Sequence, residues 1–205
     1  MYHSRWCLRQ RRIKGHSMLS HYIQIRCLSP DQEILASDIM SRLFYRLHGA
    51  IASLQTSEIG ASFPNHTLTS VGDVLRVHGS ENILTRVLDG GWLFRMEDYT
   101  LSSGIMVVPE QVKYRCVSRV RAKSSAPRLR RRLMRRHDIS AEDAERRIPD
   151  SVERRLQFPS ILMCSKGTST FSYPIFIKHG SLFNMPVPGE FSGYGLSSKA
   201  TIPWF

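Results

Sequence analysis

Between residues 113 and 136 the chain carries eleven Lys or Arg and no Asp or Glu: Lys113, Arg115, Arg119, Arg121, Lys123, Arg128, Arg130, Arg131, Arg132, Arg135 and Arg136. A short charge run is most often a solvated face, but this many cations without an anion call for a polyanionic partner. Arginine outnumbers lysine here, and its planar fork suits phosphate oxygens and stacking on bases, which favours nucleic acid over a membrane surface. In PRLRRRLMRRH, Arg128, Arg131, Arg132, Arg135 and Arg136 fall at i, i+3, i+4, i+7 and i+8, so one helical face would carry all of them. Their mutual repulsion must be offset by something negative, and a polyphosphate backbone does this. The candidate acid-base groups are histidines, whose ordinary pKa near ~6.5 suits proton transfer at neutral pH. Taken alone, His48 reads as a partly buried helix histidine, Ser165 as a loop serine and Tyr194 as a core or rim aromatic.

The elements that position these residues follow from periodicity. HYIQIRCL from His21 to Leu28 alternates as a half-buried strand. From Glu33 to Leu54 the apolar residues Leu35, Ile39, Leu43, Leu47 and Ile51 recur at helical spacing, with Ile34, Met40 and Phe44 beside them, and His48 stands one turn after Phe44. Ile59–Phe63 and Val74–His78 read as strands, Asn82–Leu88 as a short helix capped by Ser80, and Trp92–Met96 and Ile105–Val108 as further strand-like runs. The order is β-α-β-β-α-β, the split βαβ or ferredoxin-like arrangement. YRCVSRVRA alternates again from Lys113 as one strand. Pro127–His137 is a helix, with Ser124 or Ser125 able to cap it, and a second helix follows Ser140, with Asp143 completing a weak capping box. FPSILMCS and SYPIFIKHG return to strand, joined by a hairpin loop over residues 166–170, and the closing PWF can tuck aromatic rings into a core. The expected class is α+β, with a tail over 1–18, a ferredoxin-like domain over 19–112 and a basic α+β domain over 113–205 that binds structured nucleic acid.

The 205 residues, 41% of them hydrophobic, suffice for one or two small cores, and the net charge of +12 agrees with an anionic partner. Cys7, Cys27, Cys116 and Cys164 show no CxxC spacing, so reduced thiols are expected rather than a disulfide framework or a zinc site. No apolar run reaches the roughly 18 residues of a membrane span, and no apolar stretch follows the first basic residues, so a cytoplasmic protein without a membrane partner is expected. The tail carries Arg5, Arg9, Arg11, Arg12 and Lys14 without an acid. It reads either as an RNA-binding arm or as an extension ahead of a start at Met18.

Several separated motifs then occur together in order: HYIQIR, LFYRLHGAI, IGASFP, SRVRAKS, RLRRRLMRRHDIS, CSKGTSTFSYPIFIKHG, GYGLS and PWF. From His21 to Phe205 the chain resembles the CRISPR-associated endoribonuclease that processes precursor CRISPR RNA in type I-F systems. The resemblance implies an N-terminal ferredoxin-like domain and a C-terminal domain that lays the arginine helix in the major groove of the repeat hairpin. It implies metal-independent cleavage at the base of the stem, with no cofactor, by attack of the RNA's own 2′-hydroxyl on the adjacent phosphate. His48 matches the catalytic histidine, Ser165 the serine that holds the ribose and Tyr194 the tyrosine that orients the histidine.

For recognition the resemblance implies that Arg119 reads a base edge near the foot of the stem. Arg132, Arg135 and Arg136 match phosphate-holding arginines, and Arg128 and Arg131 share their face. His137, at the end of that helix, touches a phosphate or favours the helix C-terminus. Tyr173 stands where the family stacks a phenylalanine on the terminal base pair. Arg121 departs from the family's glutamine: arginine prefers guanine to adenine, so either the repeat differs at that pair or Arg121 contacts phosphate. Implied partners are the CRISPR repeat stem-loop and the other subunits of the type I-F surveillance complex, on which such proteins stay bound after one cut. The competing readings are a non-catalytic hairpin-binding subunit and, third, a DNA-binding or ribosomal protein with a basic helix.

Overall fold

The structure, a computed structural model, describes residues 19–29, 34–121, 126–152, 157–164 and 172–205. The basic tail, Ser165 and the 166–170 loop lie outside the described residues. Strand β1 (His21–Cys27) alternates as its sequence does, burying Ile23, Ile25 and Cys27 and exposing Arg26. Helix α1 (Ala36–Leu54) buries Ile39, Met40, Leu43, Phe44, Leu47 and Ile51, while Leu35, one residue ahead of it, is exposed. It ends at Gln55, whose left-handed backbone (φ 49°) lets its N–H reach the Ala52 carbonyl.

Strands β2 (Gly60–Ser62) and β3 (Val74–Gly79), helix α2 (Glu81–Asp89) and strand β4 (Thr100–Val107) follow. The Ser80 hydroxyl accepts from the Ile83 N–H and caps α2, as expected. The four strands form one antiparallel sheet in the order β2-β3-β1-β4. The expected strand over Trp92–Met96 is absent. Gly91 (φ 64°) and Arg95 (φ 61°) turn the chain there, and N–H bonds from Phe94 to Gly91 and from Met96 to Leu93 make successive turns. Trp92 and Met96 are nevertheless buried, so their apolar character serves the core without strand pairing.

The run YRCVSRVRA is not one strand but two. Strand β5 (Lys113–Arg115) pairs with β9 (Ile202–Trp204), and β6 (Val117–Val120) pairs with β8 (Ser172–His179), which also pairs with β7 (Ser160–Cys164). The break falls at Cys116, whose carbonyl accepts from the Gly180 N–H. Helix α3 (Ala126–His137) and helix α4 (Ala141–Arg147) occur where sequence places them. Ser140 caps α4 by accepting from the Asp143 N–H; its hydroxyl in turn donates to the Asp143 carboxylate. The result is an α+β architecture of helices and antiparallel sheets. Among the described residues no helix is long and apolar enough to cross a membrane.

One continuous core joins the first and last parts of the chain. Ile161 and Met163 of β7, Ile175 and Ile177 of β8, and Phe191, Leu196 and Ile202 share it with α1 and the four-stranded sheet. At Gly60 a Cβ would stand 2.6 Å from the Ile202 Cγ2, so the returning chain packs directly on the β2 backbone. The terminal aromatics do tuck in: the Arg76 guanidinium lies 4.0 Å from the Phe205 ring centroid and donates to the Phe205 carbonyl at 2.6 Å.

Histidines are embedded in this junction. His66 and His179 stack with ring centroids 3.6 Å apart, Trp204 edges both, and Arg115 lies over Trp204 at 4.4 Å. Burial, with His66 and Arg115 nearby, pushes His179 down to about 3; burial and Arg76 push the fully buried His78 down to about 3. Both are therefore neutral when folded, and the unfolded chain, with an ordinary histidine pKa, binds the extra protons. Stability is present above about pH 6.5 and is lost as pH falls toward 3, at roughly 1.4 kcal/mol per pH unit for each group. The melting temperature should fall from pH 7 to pH 4.5, and a His179→Gln variant should show a shallower fall; equal slopes would remove His179 from the account.

Candidate functional site

His48 is held by its neighbours on two sides. Its Nδ1 stands 2.7 Å from the Gly193 carbonyl oxygen, and its ring stacks on Tyr194 with centroids 4.2 Å apart and planes 15° from parallel. A carbonyl only accepts, so Nδ1 carries the proton and donates it. Nε2 is then left with a free lone pair. Helix α1 supplies His48 at a half-buried position beside its apolar stripe, and Phe44, one turn earlier, also stacks on the Tyr194 ring, with centroids 6.1 Å apart.

The segment carrying Gly193 and Tyr194 is pinned at both ends. Phe191 N–H donates to Ser57, Ala61 N–H donates to Gly195, and Ser197 N–H donates to Val117 of β6. Within it, Gly195 N–H returns to the Ser192 carbonyl and Ser192 N–H reaches Leu196, closing a tight turn. Gly195 has φ 71°, and a Cβ there would lie 2.9 Å from the Ala61 Cβ, so the turn demands glycine.

Tyr194 extends the cluster outward. Its hydroxyl stands 3.3 Å from that of Tyr173 on β8, and the Arg119 guanidinium of β6 lies 5.5 Å from the Tyr194 centroid and 6.0 Å from that of Tyr173. Burial, then the contact with Tyr173, pushes the Tyr194 phenol above its ordinary value, while Arg119 works the other way. Tyr194 is thus a neutral phenol at physiological pH, fit to hold a ring and unfit to take a proton.

The structure therefore brings His48, Tyr194, Tyr173 and Arg119 together. Ser165 lies outside the described residues. Arg121 is exposed one residue past the end of β6. Arg128, Arg131, Arg132, Arg135, Arg136 and His137 are all exposed on α3. Among the described residues none of these five arginines is ion-paired, nor does any make a hydrogen bond or ring contact with His48 or Tyr194. Arg130 behaves differently: it is half-buried, pairs with Asp150 at 2.7 Å and Glu145 at 3.3 Å, and donates to the Ile148 carbonyl. It ties α3 to α4, while the other five form no ion pair among the described residues and only Arg131 among them is hydrogen-bonded there, to the Pro127 carbonyl at 3.4 Å.

The family model described as CRISPR-associated protein (Cas_Csy4) matches residues 22–205. The chain belongs to the Cas_Csy4 family. It is similar to the CRISPR-associated endonuclease Cas6/Csy4 of Pseudomonas aeruginosa (strain UCBPP-PA14), 42% identical over 189 residues, covering 91% of this chain and 100% of the relative. It is also similar to the CRISPR-associated endonuclease Cas6/Csy4 of Escherichia coli (strain UTI89 / UPEC), 38% identical over 187 residues, 91% of this chain and 100% of that one.

Within this Cas_Csy4 chain, sequence reasoning missed the Gly193 carbonyl, Phe44 as a support for Tyr194, and the bond from Ala61 to Gly195. Every residue has a carbonyl, so no side-chain signal marks Gly193. The GYG spacing was the available sign, since a second glycine two residues on suggests a turn at positive φ. A Gly195→Ala variant should lose about 1–2 kcal/mol for the left-handed backbone alone, and more from the approach to Ala61. Urea denaturation read against wild type checks this; an unchanged midpoint would mean that the turn has room the geometry denies.

Proposed function

We propose that this protein is an endoribonuclease that processes precursor CRISPR RNA, cutting at the base of the repeat stem-loop without a metal ion. The observation that carries the reading is the pair of contacts on His48, which fixes the tautomer through Gly193 and leaves Nε2 as a proton acceptor. The reaction runs through the RNA's own 2′-hydroxyl. His48 Nε2 takes its proton, the oxygen attacks the adjacent phosphorus, and the bond from phosphorus to the 5′ oxygen of the next nucleotide breaks. A 2′,3′-cyclic phosphate and a 5′-hydroxyl result once the leaving oxygen gains a proton. Tyr194 holds the imidazole, and Ser165 holds the ribose so that its hydroxyl lies in line with the phosphate.

In the same reading the chain divides into a ferredoxin-like domain over 19–112 and an RNA-hairpin-binding domain over 113–205. The strand order β2-β3-β1-β4 supports the first assignment. The exposed, unpaired face of Arg128, Arg131, Arg132, Arg135 and Arg136 supports the second, since a stem phosphate backbone would offset its repulsion. Arg119 reads a base edge at the foot of the stem, Tyr173 stacks on the terminal base pair, and Arg121 contacts either a guanine or a phosphate. His137 touches a phosphate from the end of the arginine-rich helix. After cutting, the protein stays on the hairpin in the cytoplasm as a subunit of the CRISPR RNA-guided surveillance complex, a single-turnover enzyme.

The test is cleavage of the repeat hairpin in EDTA by wild type and by His48→Ala, with binding followed in parallel. Wild type should cut, and the variant should bind equally yet cut on the order of 10²–10⁴-fold more slowly. Deoxyribose at the attacking nucleotide should abolish cutting by both. If both proteins bind tightly and neither cuts, the protein is a non-catalytic hairpin-binding subunit instead.

A further inference from the structure

Tyr173 carries more than stacking requires. A ring stacked on a base pair makes no use of a phenol hydroxyl. Along β8 side chains alternate, so Tyr173 shares a face with Ile175 and Ile177. Both isoleucines are fully buried in the core that includes α1, whereas Tyr173, farther along the same face, is 37% exposed. Arg119 pairs with Ile177 across the sheet and therefore lies on that face too.

What the Tyr173 hydroxyl meets is the Tyr194 hydroxyl, 3.3 Å away, with either oxygen able to donate. That is longer than the usual ~2.7–2.8 Å of a hydroxyl pair, and hydrogen bonds at a catalytic site tighten when substrate seats. The Tyr194 ring is already clasped on its faces by His48 at 4.2 Å and Phe44 at 6.1 Å. Stacked rings resist tilting but slide readily in their own plane, and a directional bond at the ring's edge opposes sliding. The Tyr173 hydroxyl supplies such a bond. The Arg119 guanidinium sits against both rings, 5.5 Å from the Tyr194 centroid and 6.0 Å from that of Tyr173.

We propose that Tyr173 is a positioning residue whose hydroxyl holds Tyr194, and through it His48, so that stacking of the stem's terminal base pair speeds cleavage as well as strengthening binding. The inference rests on the reading above that Tyr173 stacks on that pair and that His48 takes the proton. A paired foot presses the Tyr173 ring into place, the hydroxyl bond closes, and the imidazole is aimed. A frayed foot leaves the ring free and the base loosely held, and small misplacements at a reacting centre are costly. Tyr173 thus acts on the reacting atoms only through Tyr194. The protein tells a well-paired hairpin from a frayed one by its rate of cutting, in addition to its affinity.

The experiment measures single-turnover cleavage in EDTA at saturating protein, with Kd followed separately, so that rate and affinity are read apart. One hairpin has its terminal pair intact. The other is mismatched there by a change on the 5′ strand, which leaves the nucleotides around the cut unaltered. The proteins are wild type, Tyr173→Phe, Tyr194→Phe, the double variant of these two, and Tyr173→Leu. Phenylalanine keeps the ring and removes the hydroxyl, while leucine removes both.

Tyr173→Phe should bind the paired hairpin as wild type does yet cut it roughly three- to tenfold more slowly, the scale of one net hydrogen bond. Tyr194→Phe should lose a similar factor, and the double variant should be no slower than either alone, because both changes delete the same bond. On the mismatched hairpin wild type and Tyr173→Phe should cut at similar rates. The inference is overturned if Tyr173→Phe cuts the paired hairpin at the wild-type rate, if it loses affinity in place of rate, if the two losses multiply in the double variant, or if the ratio of paired to mismatched rates is the same for Tyr173→Phe as for wild type. Tight binding of the paired hairpin by Tyr173→Leu would instead overturn the stacking assignment, and failure of wild type to cut in EDTA the enzymatic reading itself.

Discussion

One backbone contact holds the candidate site together: the N–H of Ala61, on β2, donates to the carbonyl of Gly195 at 2.7 Å. The strand belongs to the four-stranded sheet and the turn to the last fifteen residues of the chain, so this bond closes a loop of well over a hundred residues. Only a glycine in the left-handed region allows the approach. Once it is made, the Gly193 carbonyl and the Tyr194 ring face α1, and the side chain they meet there is His48. Ser197, bonded to β6, ties the same turn to the strand that carries Arg119. The site is therefore assembled by tertiary structure on a core already continuous between β2, α1 and β7, and its geometry is as stiff as that core.

The distribution of charge follows a second division. Of the arginines on α3, Arg130 is the one ion-paired among the described residues, bridging to Asp150, Glu145 and the Ile148 carbonyl. A half-buried guanidinium with three partners is worth more as an anchor than an exposed pair is, because water screens it less. The remaining face stays unsatisfied within the protein, a cost that the protein alone does not recover. Water and counter-ions screen such a surface, and a polyanion that displaces those counter-ions offsets its repulsion directly, which is the physical content of reading α3 as a nucleic-acid element.

The sequence was most legible where a side-chain period maps onto one environment. The alternation of β1 and the stripe of α1 both reappear as burial, and the Ser80 and Ser140 caps are where their positions suggest. It was least legible where one run of residues serves two environments. YRCVSRVRA has an unbroken period yet is divided at Cys116 between two sheets, because pairing partners more than 50 residues away decide where a strand ends. Trp92–Met96 has the right residues for a strand but the wrong neighbours, and glycine at 91 releases it into turns. For the site, His48, Tyr194, Tyr173 and Arg119 were marked by resemblance rather than by pattern. Nothing local tells a histidine in RLHGAI from one on any other helix; the partner that fixes its proton is a carbonyl 145 residues away.

The nature of that partnership bears on the chemistry proposed for it. A carboxylate at Nδ1 would stabilise the imidazolium strongly and raise its pKa, favouring proton capture at the expense of proton return. A neutral carbonyl fixes the tautomer just as well with less bias. The stacked Tyr194 face then answers the charge in a milder way: as Nε2 gains a proton the ring beneath it becomes a cation over a π system, an attraction absent in the neutral state. This stabilisation grows as the proton is transferred, which is when a catalyst needs it. The raised phenol of Tyr194 fits the same logic, because a phenolate there would trap the imidazolium as an ion pair.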